Sequence, residues 1–349
     1  MNTSAVLTFF VGLIFLLGGC ATQQPLQPSP EFTVQPLVKE MWKKKVDTLI
    51  FVLDASSSMA ESANGVEKFV VGRDVVAHFN ETMPDLEIQV ALRSFGHSLS
   101  YSFERTVPVY GLTNYSRQGL ADALASIVPA GGPSPMAESF KAAGADLRAT
   151  QGKIAMVVVS DGKDMDKGAL RAATALSAEY GDRLCIHTVL VGDDEDGRAL
   201  LNAVSSTAGC GQAVAATDLA TGPAMADFVA TVLLDKADSW IFNDIKFESD
   251  KAVLMASSYP TLAKIVTILQ NQPGIRVEIQ GHTDSTASAG YNIDLSKRRA
   301  VTVMRYLRSK GIDASRMTAK GYGEGMPIDT NSTEQGKANN RRVELKPLP

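Results

Sequence analysis

Four short apolar runs recur through the first part of the chain, at residues 48–53, 88–92, 154–159 and 186–191. The first, TLIFVL, is continuous, as a parallel strand buried on both faces should be. Between the runs lie segments of helical period at 68–79, 138–147, 170–180 and 198–208. Strands alternating with helices of this length predict an α/β fold with a doubly wound, mostly parallel sheet. Such sheets bind their ligands at the carboxyl ends of the strands.

Polar residues collect at those ends. The first run leads into Asp54, Ser56 and Ser58, the third into Ser160 and Asp161, and a loop, Gly131-Gly132-Pro133-Ser134, precedes another helix. These carboxylates and hydroxyls are hard oxygen donors, a set that suits Mg²⁺ with retained waters, or Ca²⁺. A D-x-S-x-S string by itself is often only a helix-capping turn. Over residues 46–234 the chain resembles the von Willebrand factor A fold and its metal-ion-dependent adhesion site. The resemblance implies that Asp54, Ser56, Ser58 and Asp161 hold a divalent metal, with Ser134 standing where the family carries Thr. It also implies an open coordination position that a partner's carboxylate fills, here on another protein of the cell envelope.

The C-terminal part has a different pattern. Residues 275–279 alternate as one half-buried strand, and Leu295, Val301, Met304 and Leu307 follow a helical period. That places Asp284 in the loop leaving the strand and Arg299 about one turn into the next helix. A loop carboxylate facing a guanidinium fork can take the amine and the acid of a zwitterion. The plain alternative is a surface ion pair worth under ~1 kcal/mol. GHTD, YN, LSKRRA, GYGE, Pro327-Ile328 and NNRRVEL occur in the order and spacing of OmpA-like peptidoglycan-binding domains, an α+β family. The resemblance runs from residue 240 to the end. It implies that Asp284 and Arg299 hold the diaminopimelate of the peptide stem, with Asn292 in support. Ala287 stands where that family usually has Gly, and Gly290 is the nearby residue able to lend the loop freedom.

Composition allows two cores, since 45% of the 349 residues are hydrophobic. Net charge is −8 over residues 41–235 and +5 over 236–349, which argues against a nucleic-acid binder spread over both parts. The basic part suits an anionic polymer. Residues 5–19 form a secretory apolar stretch ending in Leu17-Gly18-Gly19-Cys20, too short to span a bilayer comfortably. The ending resembles a bacterial lipobox, which implies lipidation of Cys20, and Ala21 after it implies sorting to the outer membrane; an uncleaved inner-membrane anchor is the alternative. Residues 21–36, with four Pro and four Gln, read as an extended tether reaching roughly 50 Å at ~3 Å per residue.

The expected organisation is a signal peptide at 1–19, a lipidated cysteine and tether at 20–44, an α/β domain at 45–235 and a smaller α+β domain at 240–349. Cys185 and Cys210 are an even pair in a secreted chain and are expected to form a disulfide between the starts of neighbouring parallel strands. No G-x-S-x-G and no phosphate loop is present, and no enzymatic activity is expected. The expected function is an outer-membrane lipoprotein that grips peptidoglycan and displays a metal-dependent docking face. A cell-wall hydrolase or amidase with a targeting tail, and an inner-membrane stator-like protein, are the rivals.

Overall fold

The computed structural model describes residues 32–99, 102–127, 130–163 and 168–348. Cys20, the apolar segment before it and the tether through residue 31 lie outside the described residues. The first sheet has six strands: β1 (Thr48–Asp54), β2 (Gln89–Phe95), β3 (Thr106–Asn114), β4 (Ile154–Ser160), β5 (Leu184–Leu190) and β6 (Ala213–Ala215). Their order is β3-β2-β1-β4-β5-β6, parallel except for the antiparallel edge strand β3. Six helices cover it: α1 (Lys68–Thr82), α2 (Arg117–Ala125), α3 (Met136–Leu147), α4 (Gly168–Tyr180), α5 (Glu195–Ser205) and α6 (Gly222–Leu233). Alternate residues of each central strand pack to opposite faces. Leu49, Phe51 and Leu53 meet α1, α2 and α6, while Ile50 and Val52 meet α3, α4 and α5. The sheet is doubly wound, as the alternation of runs and helices requires.

The second sheet has strands β7 (Trp240–Phe242), β8 (Arg276–His282), β9 (Met317–Gly323) and β10 (Val343–Leu348), in the order β7-β10-β8-β9. Helices α7 (Tyr259–Asn271) and α8 (Ala289–Ser309) bury Leu262, Ile265, Ala300, Val303 and Leu307 against Val277, Ile279 and Leu345. A third helix, α9 (Glu334–Asn340), precedes β10. Gly281 and Gly321 face each other in the β8–β9 register. A Cβ on Gly281 would lie 2.2 Å from Ser296 O, and one on Gly321 would lie 2.4 Å from Lys297 N. Both glycines therefore let α8 lie directly on the strands that end at Asp284's loop.

Three expectations change here. Helix α8 begins at Ala289, so Arg299 is its eleventh residue, almost three turns in. The first turns of α8 lie over a cavity, so the apolar period does not announce them. Gly290 belongs to that helix and does not serve as a loop hinge. The tether is also shorter than its composition implies: Phe32 stacks on His78 with ring centroids 3.6 Å apart, and Leu37 N donates to Thr82 O. The following residues, Trp42–Lys44, pair antiparallel with Leu234–Lys236.

Cys185 and Cys210 are disulfide-bonded, with Cα atoms 5.2 Å apart. Their placement differs in detail from two strand starts side by side. β5 and β6 pair only from Thr188 and Ala213 onward, so the bond joins the start of β5 to the loop before β6. Among the described residues, no helix is long and apolar enough to cross a membrane.

Candidate functional site

Two strand-end sites stand out, one on each sheet. At the first, Asp54 closes β1 and Asp161 follows β4, and both are fully buried. Asp54 Oδ1 accepts from Ser56 N at 2.8 Å, and Oδ2 accepts from the Ser160 hydroxyl at 2.6 Å. Burial pushes the Asp54 carboxyl up to about 6, against the pull of those hydrogen bonds. The Ser56 and Ser58 hydroxyls lie 3.2 Å apart, and Ser58 donates to Asp161 Oδ1 at 3.1 Å. The loop carrying Ser134 is threaded closely against this group. Ser57 N donates to Gly132 O, and a Cβ on Gly132 would fall 2.1 Å from His97 O. The structure therefore brings Asp54, Ser56, Ser58 and Asp161 together, with the Ser134 loop beside them.

A lysine absent from the expected set completes the group. Lys68, the first residue of α1, places Nζ 3.0 Å from Asp161 Oδ2 and 3.0 Å from Glu61 Oε2. Its side chain is 8% exposed and that of Asp161 is 0% exposed. Burial alone would lower the ammonium's pKa, but the hydrogen bonds and charges of Asp161 and Glu61 outweigh it, and the net shift is upward. The donor set suits a hard divalent ion in kind, but the cation position beside Asp161 is filled by an ammonium. In this arrangement the residues do not fit the metal.

The second site lies beyond β8. Asp284 Oδ1 accepts from Thr286 N at 3.0 Å, and Oδ2 accepts from Arg341 Nη1 at 2.5 Å. Partial burial works to raise its pKa, but the Arg341 and Thr286 hydrogen bonds prevail and hold the carboxyl below its ordinary value. Arg299 is fixed from two sides: its Nε donates to Lys251 O at 3.0 Å, and its guanidinium lies 5.1 Å from the centroid of the Phe247 ring. Asp284 and Arg299 make no direct bond. They line the same cavity of about 560 Å³, together with Asp250, Tyr291, Lys337 and Arg341. Asn292 is buried, and its amide donates to Asp284 O at 3.2 Å, to Ala287 O at 3.1 Å and to Glu324 Oε2 at 2.5 Å. Its nitrogen is committed to shaping the loop.

Comparison with known proteins separates the two sites by lineage. Residues 49–163 match the von Willebrand factor type A domain, and residues 246–341 match the OmpA family. The chain joins a von Willebrand factor type A domain to an OmpA-family domain. It is 45% identical over 101 residues to outer membrane porin F of Pseudomonas fluorescens, covering 29% of this chain and 31% of that protein. It is 40% identical over 107 residues to the probable lipoprotein YiaD of Escherichia coli, covering 31% and 49%. It is 41% identical over 101 residues to the peptidoglycan-binding protein ArfA of Mycobacterium tuberculosis, covering 29% and 31%. The chain thus spans less than half the length of each.

In the OmpA-family domain, reading the sequence missed Arg341 as the immediate partner of Asp284. The NNRRVEL run that contains it was the available signal, but nothing in the run says which arginine faces the loop. Arg342 turns the other way, into a buried pair with Glu344 beside His282. In the von Willebrand domain the missed residue is Lys68. It looks like an ordinary surface lysine at a helix start.

Proposed function

We propose that this chain anchors itself to peptidoglycan through its OmpA-family domain, with Asp284 receiving the ammonium and Arg299 the carboxylate of a diaminopimelate end. Asn292 holds the loop that carries Asp284, and Arg341 keeps that carboxylate ionised. The observation that carries the reading is one cavity with an ionised Asp and a pre-positioned Arg on separate walls. A zwitterion meets both charges there and displaces little protein–protein bonding. Binding is the whole mechanism, with no bond made or broken. The peptidoglycan-binding protein ArfA and the probable lipoprotein YiaD support this placement in the envelope, with Cys20 as the outer-membrane lipid anchor.

The von Willebrand domain then stands beside the wall as a docking module for a second envelope protein. The Mg²⁺ or Ca²⁺ expected on Asp54, Ser56, Ser58, Ser134 and Asp161, with an open position for a partner's carboxylate, does not fit this site, because the Lys68 ammonium takes the cation position beside Asp161.

Co-sedimentation with purified sacculi tests the anchor. Removing one partner of a desolvated charged contact costs about 2–5 kcal/mol, so Asp284→Ala and Arg299→Ala are each expected to abolish co-sedimentation while the fold persists. Undiminished binding by both variants would refute the assignment.

A further inference from the structure

Every carboxylate oxygen of the two aspartates at the first site already has a donor from the chain itself. Asp54 is served by the Ser56 amide and the Ser160 hydroxyl. Asp161 Oδ1 is served by the Ser58 hydroxyl and by the Lys163 amide at 3.0 Å. Asp161 Oδ2 faces the ammonium of Lys68. The same ammonium reaches Glu61, which also receives Lys163 Nζ at 3.0 and 3.1 Å. The result is a chain of alternating charges, Asp161–Lys68–Glu61–Lys163, running from the buried strand end to the surface.

A divalent ion entering this site would need lone pairs of Asp161 and would sit within a few ångströms of a fixed positive charge. Like charges at that distance in a poorly solvated pocket repel strongly. The lysine, by contrast, is covalently held at the site and needs no capture from solution. It also leaves the site closed. A metal one ligand short invites an external carboxylate, whereas the Lys68 side chain is 8% exposed and already bonded to two carboxylates. We propose that Lys68 takes the place of the divalent ion in this von Willebrand factor type A domain, so that its loops are held by an internal cation and its face is presented without metal. What that face offers outward is the Glu61–Lys163 pair, whose side chains are 49% and 37% exposed. A partner therefore meets a salt-bridged polar surface, and its docking does not respond to chelators. This inference is independent of the peptidoglycan reading.

Manganese binding to the whole chain, followed by electron paramagnetic resonance and by thermal melts, tests it. The wild-type protein is expected to show no saturable Mn²⁺ site at millimolar ion, and its melting temperature should be the same in Mg²⁺ and in EDTA. Lys68→Met keeps most of the length of the side chain and removes its charge. That variant is expected to gain a site about tenfold tighter or more than any in the wild type, to melt higher with Mn²⁺ than without, and to lose both properties when Asp161→Asn is added. A wild-type site as tight as that of Lys68→Met would overturn the proposal, because ion and lysine would then coexist. A folded Lys68→Met protein with no Mn²⁺ site would also overturn it, because something other than the lysine would be excluding the ion. Should that variant fail to fold, Lys68→Gln takes its place with the same expected and refuting outcomes, and a saturable wild-type Mn²⁺ site refutes the proposal in either case.

Discussion

Both domains hold an aspartate just past the carboxyl end of a central strand, and both pair it with a basic residue brought from far along the chain. They differ in what lies beyond the pair. Asp161 and Lys68 are 0% and 8% exposed at their side chains, and each satisfies the other. Asp284 and Arg341 are 12% and 41% exposed, and a second guanidinium, Arg299, waits across an open cavity. An ion pair closed on all sides holds loops together. One that is open, with an unpaired charge opposite, is built to receive a ligand. The same chemistry at equivalent strand ends thus yields a lock in one domain and a receptor in the other.

The largest expected difference comes from breaking each pair in turn. Lys68→Met leaves Asp161 buried beside no cation, which typically costs about 3–5 kcal/mol. Arg341→Met removes a partly exposed partner, and a loss under ~1 kcal/mol is expected. For ligand binding the order reverses: Arg341→Met weakens sacculus binding and Lys68→Met leaves it unchanged. Urea denaturation of the two variants, with co-sedimentation beside it, checks both halves. Equal stability losses would erase the distinction between lock and receptor.

The sequence shows one side of this contrast well and the other poorly. Runs such as TLIFVL must be buried on both faces, so the strands, and with them Asp54 and Asp161 at their ends, are legible in the sequence. β3 escaped because it is a half-exposed antiparallel edge strand containing Pro108, with no continuous apolar run. Lys68 and Arg341 escaped for a shared reason. Each meets its aspartate only through tertiary closure, across 93 and 57 residues respectively. Local pattern records which face of an element is buried. It does not record which distant charge a long side chain will reach.

The disulfide offers a second way to sharpen the comparison, because it supports the lock domain from the opposite end of its sheet. Linking two cysteines 25 positions apart in the unfolded chain stabilises by about 3 kcal/mol in the entropic account. Cys185→Ser/Cys210→Ser is therefore expected to lower the unfolding free energy of the von Willebrand domain by about that amount. Sacculus binding should be unaltered. If binding falls with stability, the receptor depends on the other domain and the two cannot be treated separately.

Acid should act on both domains through buried histidines, His97 and His187 in the first and His282 in the second. Burial, then Lys45, pushes His187 down to about 4, and burial, then Arg342, does the same for His282. An unfolded histidine takes up its proton near 6.5, so between about pH 6.5 and 4 the unfolded state binds protons that the folded state refuses. Stability of the OmpA-family domain is expected to fall as pH drops through that window, while in the von Willebrand domain Asp54, raised to about 6, takes up its proton in the folded state over the same range and offsets the His187 loss. Asp284, held below its ordinary carboxylate pKa, stays ionised in the same range. Sacculus binding at pH 5 should therefore persist for as long as the OmpA-family domain remains folded. Thermal melts and co-sedimentation across pH 7 to 4.5 test this, and binding lost at pH 5 from a folded domain would contradict it.

The smallest effect concerns the receptor loop itself. Ala287 stands where OmpA-like sequences usually carry glycine, which raises the question of whether the loop is compromised. Its φ is not among the positive values of the described residues, so no left-handed conformation demands a glycine there. Its side chain is exposed, and its carbonyl already accepts the Asn292 amide at 3.1 Å. Introducing glycine would therefore relieve no strain. It would add freedom chiefly to the unfolded chain, at a cost of about 0.4–1 kcal/mol. Ala287→Gly is expected to lower the stability of the OmpA-family domain by that small amount and to leave its affinity for sacculi unchanged. Side-by-side denaturation and co-sedimentation measure both. A variant that binds more tightly would mean that the alanine holds the Asp284 loop away from its best geometry, and that the receptor side of the comparison is not fully formed as it stands.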